Sequence, residues 1–175
     1  MEGASRLKRY TRIPLFQVGT LPNAIHLGQP QIEQLVAHRP PFLLLDCIDG
    51  LDWERGLASG RRRTQSDDPI FAGHFPCNPV YPGTLLIEML GQLGIALLSL
   101  MMNSGSLPKA GAKAPVAFVI KIDGAYFISP VRPGEEITLL AKSSGWDGLL
   151  AGMTGQALVG DRICCVVSGQ VCEQP

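Results

Sequence analysis

Of the three histidines, His74 is the one whose surroundings suit chemistry. It lies in Gly73-His74-Phe75-Pro76, within a proline-rich stretch that leads into the most apolar part of the chain. Fourteen residues later comes Glu88, the single acid or base between Gly83 and Met102. A carboxyl group among apolar side chains is costly unless it is paired or kept protonated. An imidazole and a carboxyl that meet can take a proton from one atom and give one to another. The spacing alone leaves two readings open: a catalytic pair, or a buried carboxyl bonded to backbone or to a second chain. His26 lies in a weakly patterned N-terminal region and reads as solvated. His38 precedes Arg39-Pro40-Pro41-Phe42 at a helix-to-strand junction, where a capping or structural role is expected.

The elements that must hold these groups can be read along the chain. Residues 29–37 suggest a short helix with Pro30 in its first turn, and 42–48 a buried strand. Asp49-Gly50 suggests a turn, and 57–64 the return strand. After a loop over 65–81, Pro82-Gly83 opens a helix over 83–102 that has no internal proline and is apolar on nearly every side. Such a helix should be enclosed by the rest of the protein. A loop over 103–115 follows. The chain then turns to strands over 116–128 and 136–144, with a hairpin of 149–159 and 162–171 across Gly160-Asp161. The order implies an α+β fold, one antiparallel sheet around one helix. Residues 1–28 read as an extension and 29–175 as a single domain.

Composition narrows the function classes. The chain has 175 residues, with 15 Lys and Arg against 15 Asp and Glu. Nucleic-acid binders usually show a basic excess, so none is expected as a partner. No uninterrupted apolar run approaches 18 residues, so no membrane span is expected. The basic N-terminus lacks the apolar region of a secretory signal. Five cysteines, without a C-x-x-C pair or a zinc spacing, read as thiols in a reducing, cytoplasmic setting with no metal site.

The segment GHFPCNPVYPGTLLIEMLGQ, Gly73 to Gln92, resembles the active-site segment of FabZ-type 3-hydroxyacyl-acyl-carrier-protein dehydratases. The shared features are Gly73 to Pro76, Pro79-Val80, Pro82-Gly83, Glu88 and Gln92. Two further blocks agree: His38 to Asp46, and Ile122 to Glu135. Departures are Cys77-Asn78, Tyr81 and Thr84, together with the N-terminal extension and the long 103–115 loop. These bear on the substrate rather than on the reaction.

The resemblance implies the hotdog fold and the loss of water from a 3-hydroxyacyl thioester, in fatty-acid or related polyketide-like synthesis. It implies His74 as base and Glu88 as acid, shared across a homodimer that in many members assembles into a trimer of dimers. The Gly83 N–H would bind the thioester oxygen, and Gln92 would orient Glu88 or hold the dimer interface. Glu88 is expected to be protonated through burial. Phe118, Ile87 and Leu90 are candidates for an acyl tunnel. No cofactor is implied beyond the phosphopantetheine carried by the substrate. The partner would be an acidic acyl carrier protein, with Arg61, Arg62, Arg63, Lys121 and Arg132 as docking candidates. Glu88, where isomerising relatives carry Asp, argues for dehydration alone. A hotdog thioesterase and a non-catalytic acyl-binding subunit are the alternatives. The two X-Pro bonds between His74 and Pro79 predict a cis peptide or another strained bond in that stretch.

Overall fold

The structure is a computed structural model that describes residues 7–17, 19–109 and 111–173. Among the described residues seven strands form one antiparallel sheet: β1 Asn23–Gly28, β2 Cys47–Asp52, β3 Leu57–Arg63, β4 Ala117–Phe127, β5 Glu136–Trp146, β6 Leu150–Val159 and β7 Arg162–Glu173. Their order across the sheet is β1-β2-β3-β5-β6-β7-β4. Among the described residues the helices that accompany the sheet and bear on the site are α1 Gln29–Ile32, α2 Pro69–Gly73 and α3 Gly83–Met102; residues 7–9 are also helical. The sheet curls around α3, the wrapped-helix layout expected.

The helix α3 has 20 residues, which makes it roughly 30 Å long. It is apolar and long enough to cross a membrane by composition, contrary to the expectation that no segment would qualify. Its position explains the composition: Leu86, Met89, Leu90, Leu93, Ala96, Leu97 and Leu100 are buried against the sheet and form the core with Leu139, Ala141, Ala157 and Cys165. Enclosure is nonetheless one-sided. Thr84, Ile87, Glu88, Gly91, Gly94 and Leu98 recur at helical spacing and stay partly or fully uncovered. Beside this open stripe runs β4, an edge strand on which Phe118, Val119, Ile120 and Ile122 are exposed.

Three local differences have physical causes. Residues 42–46 are not a strand, because the buried Gln92 side chain takes the backbone of Phe42 and Leu44. The strand β2 therefore starts at Cys47 and runs through Asp49-Gly50. The turn comes at 53–56 instead, where Asp52 accepts the Arg55 N–H and Gly56 adopts a φ of 64°. The extension read over 1–28 contributes β1, which pairs with β2. Upstream of it, Leu7 and Leu15 pack on the outer face of the sheet against Leu140, Leu158 and Val166. Residues 1–6 of that extension lie outside the described residues.

Candidate active site

His74 sits just past α2, whose start is capped by Asp68 accepting the Ile70 N–H. Its backbone carbonyl accepts the Val80 N–H at 2.8 Å, and its Nδ1 lies 2.8 Å from the Val80 carbonyl oxygen. A carbonyl only accepts, so Nδ1 carries the proton and Nε2 is left with its lone pair. The ring stacks on Phe75 at 4.0 Å. The His74–Phe75 peptide is cis, whereas the X-Pro bonds of this loop are trans; Pro40–Pro41 is the other cis bond among the described residues.

His74 lines a cavity of about 360 Å³ with Tyr81, Gly83, Phe127 and Val131. The cavity lies under the N-terminus of α3, where the first N–H groups of a helix have no partner within it. Gly83 is the first residue of α3, and Pro82, its N-cap, offers no side-chain cap. A Cβ at Gly83 would come within 2.6 Å of the Phe127 ring, so only glycine allows this close approach.

Glu88 belongs to a separate cluster. It does not line the His74 cavity. Its Oε1 accepts from Gln92 Nε2 at 2.9 Å and lies 3.3 Å from His38 Nε2. Gln92 is fully buried and uses its whole amide: Nε2 also donates to Phe42 O, and Oε1 accepts from Leu44 N, both at 2.8 Å. The opposite amide orientation would set donor against donor. The contact from His38, expected to be structural, went unforeseen because 50 residues separate it from Glu88. The imidazole pairs face-on with Phe42, and its Nδ1 is buried without a partner among the described residues. The hydrogen bond from His38, aided by that from Gln92, holds the Glu88 carboxyl below its usual range despite burial. In the single chain this corrects the expectation that burial keeps Glu88 protonated.

The other candidates fall in different places. Ile87 lines a small apolar cleft. Leu90 is core, and Phe118 is exposed on the β4 edge. Arg61 pairs with Asp49 and Glu136, Arg62 with Asp46, Arg63 with Glu136, and Lys121 with Asp123. Arg132 instead bonds to Asn78 and to Pro79 O, beside the His74 loop. His26 is exposed on β1. Among the described residues no group of three His, Cys, Asp or Glu could hold a metal ion.

A family model for the FabA-like domain matches residues 36–168, the span that contains both His74 and Glu88. The chain belongs to this family. Within it, the chain is 34% identical to the 3-hydroxyacyl-[acyl-carrier-protein] dehydratase FabZ of Campylobacter concisus, over 77% of this chain and 88% of that one. It is 36% identical to the FabZ of Macrococcus caseolyticus over 79% and 90% of the two chains. Its fold is similar to the dehydratase heterocomplex ApeI:P from Xenorhabdus doucetiae, with a TM-score of 0.61 at 11% identity, covering 82% and 91%. It is also similar to the PaaI protein of E. coli, with a TM-score of 0.52 at 14% identity, covering 76% and 81%. These two similarities establish the hotdog fold.

Proposed function

We propose that His74 and Glu88 carry the dehydration of a 3-hydroxyacyl thioester bound to an acyl carrier protein, in fatty-acid synthesis. The chain is a dehydratase, a hydro-lyase, by its family. The observation that carries the assignment of the base is that His74 lines a largely apolar cavity beneath the start of α3 while its Nδ1 is held by the Val80 carbonyl, which leaves Nε2 to act. Nε2 takes the C2 proton, the C2–C3 double bond forms, and the C3–O bond breaks. Glu88 protonates the departing hydroxide, which leaves as water. Negative charge builds on the thioester oxygen while C2 loses its proton, and the Gly83 N–H with the positive end of the α3 dipole is placed to stabilise it. Proton return from His74 to Glu88 resets the pair, so no net proton is consumed.

The pair forms between two subunits. The open stripe of α3 contains Glu88 and adjoins the β4 edge, whose apolar side chains and unpaired backbone suit a second copy. Covering this face removes water from Glu88, which offsets part of the lowering by His38 and Gln92 and moves the carboxyl back toward protonation. The carrier protein docks beside the His74 loop through Arg132, the one of the five basic candidates whose side chain pairs with no carboxylate among the described residues. Glu88 in place of a shorter Asp supports dehydration without isomerisation.

The deciding assay gives purified protein a 3-hydroxyacyl thioester and follows enoyl absorbance and free thiol. Enoyl alone supports the dehydratase. Thiol alone supports the thioesterase, and neither product supports an acyl-binding subunit. Mixing chains carrying His74→Ala with chains carrying Glu88→Ala tests the shared site. Random exchange should restore about a quarter of wild-type activity, because half the dimers then contain one intact pair. No recovery on mixing would place both residues of a site in one chain.

A further inference from the structure

The side of α3 that bears Glu88 continues into a path for an apolar ligand, and one side chain blocks it. The inner face of β6 presents Ala151, Met153, Gly155 and Ala157 toward α3, since alternate residues of a strand share a face. Only Met153 is long. Opposite it, α3 presents Gly91 and Gly94. A Cβ at Gly91, three residues past Glu88, would meet nothing within 4 Å, so in the single chain, before a second copy covers the stripe, the path is open there. At Gly94, one turn further, a Cβ would fall 2.1 Å from the Met153 sulfur, so the path is filled there.

Two small clefts lie on either side of this obstruction. The first, beside Glu88, is lined by Ile87, Gly91, Val119 and Val167. The second runs toward the C-terminal half of α3 and is lined by Gly94, Leu98 and Ala151. Gly91, Met153 and Val171 line both. The linings are almost entirely apolar, which suits a hydrocarbon chain. We propose that Met153 divides this path and sets the length of the acyl chain the enzyme accepts. The inference rests on the dehydratase reading for the identity of the ligand. Methionine is unbranched and adaptable, so it fills the gap without the rigidity of a branched side chain.

Met153→Ala removes three heavy atoms and joins the two clefts. The preferred acyl chain should lengthen by about two to four carbons. The ratio of kcat/KM for the longer over the shorter substrate should rise at least about tenfold, the scale of one methylene in an apolar pocket. Met153→Val should give a smaller shift in the same direction, and circular dichroism and Tm check that both variants fold. Two readouts separate the inference from the reaction it rests on. Turnover is measured on 3-hydroxyacyl thioesters of four to sixteen carbons. Binding is measured by calorimetry with saturated acyl-pantetheine thioesters of the same lengths, which cannot be dehydrated. A shift in both supports the inference. A binding shift in a protein that turns over nothing supports the divided path and overturns the dehydratase reading. An unchanged length profile in both folded variants, or no acyl binding at any length, overturns the role of Met153.

Discussion

Gln92 and Gln156 perform the same task on opposite faces of the sheet. Both are fully buried, and each satisfies its amide with three hydrogen bonds. Gln156, on the outer face, accepts from Leu15 N and donates to Tyr10 O and Ile13 O, so it docks the N-terminal segment. Gln92, on α3, docks the segment 42–44 with two bonds and spends the third on Glu88. The difference is in what each amide leaves over. A glutamine that meets only backbone organises the fold. One that shares a donor with a carboxylate also orients that carboxylate and favours its charged form. A further contrast is the cost of failure. The N-terminal segment lies at the surface and can return to water, whereas Leu44 is buried in the core beside α3.

Gln92→Leu should therefore have the largest effect. It leaves the buried Leu44 N–H without a partner, at about 1–3 kcal/mol, and removes the donor to the part-buried Phe42 carbonyl as well. Denaturant unfolding should show a loss of roughly 2–5 kcal/mol, with reduced turnover as well. A stability equal to wild type would show that 42–44 finds other partners. Glu88→Ala separates the two duties of the cluster. Turnover should fall at least about a hundredfold, close to 3 kcal/mol of transition-state stabilisation, while Tm stays near the wild-type value. A comparable loss of Tm would make Glu88 a structural member of the cluster.

Gln156→Leu should cost less, about 1–2 kcal/mol, with kcat unchanged, because its partners can be hydrated once the segment lifts. A fall in kcat would connect the outer face to the site and break the contrast. His38→Ala should have the smallest effect on stability. Without its main donor, the Glu88 carboxyl rises toward the ordinary 4.5. A carboxyl depressed in the folded state adds stability above its unfolded value, and that stability is lost as pH falls through the folded value. The variant should thus be less stable than wild type above about pH 4.5, and the gap should close on further acidification. Carbon-13 NMR of glutamate carboxyls should show the Glu88 midpoint moved upward. An unmoved midpoint would assign the depression to Gln92 alone.

Much of this molecule was determined by local pattern. The helix from Gly83 to Met102 follows from a largely apolar stretch that starts at Pro82-Gly83 and has no internal proline. The hairpin of β6 and β7 follows from Gly160-Asp161, where Gly160 supplies the positive φ of 56°. Glu88 stood out as a candidate because it is the one acid on an otherwise apolar helix, and His74 because it lies in the proline-rich loop that leads into that helix. Other features were decided only by packing. Phe42 to Asp46 has the composition of a strand, yet it meets a side-chain amide 48 residues away instead of a neighbouring strand. The outer-face duty of Gln156 reaches 141 residues back to Leu15, a distance no periodicity reports. Met153 has no motif at all. It matters because the strand brings it over Gly94, and chain pattern does not encode which glycine a side chain will cover. Local sequence fixes backbone preference and the supply of reactive groups, because both depend on near neighbours. Which buried donor finds which acceptor depends on the whole fold, because every buried polar group must be satisfied by whatever the tertiary structure brings within reach.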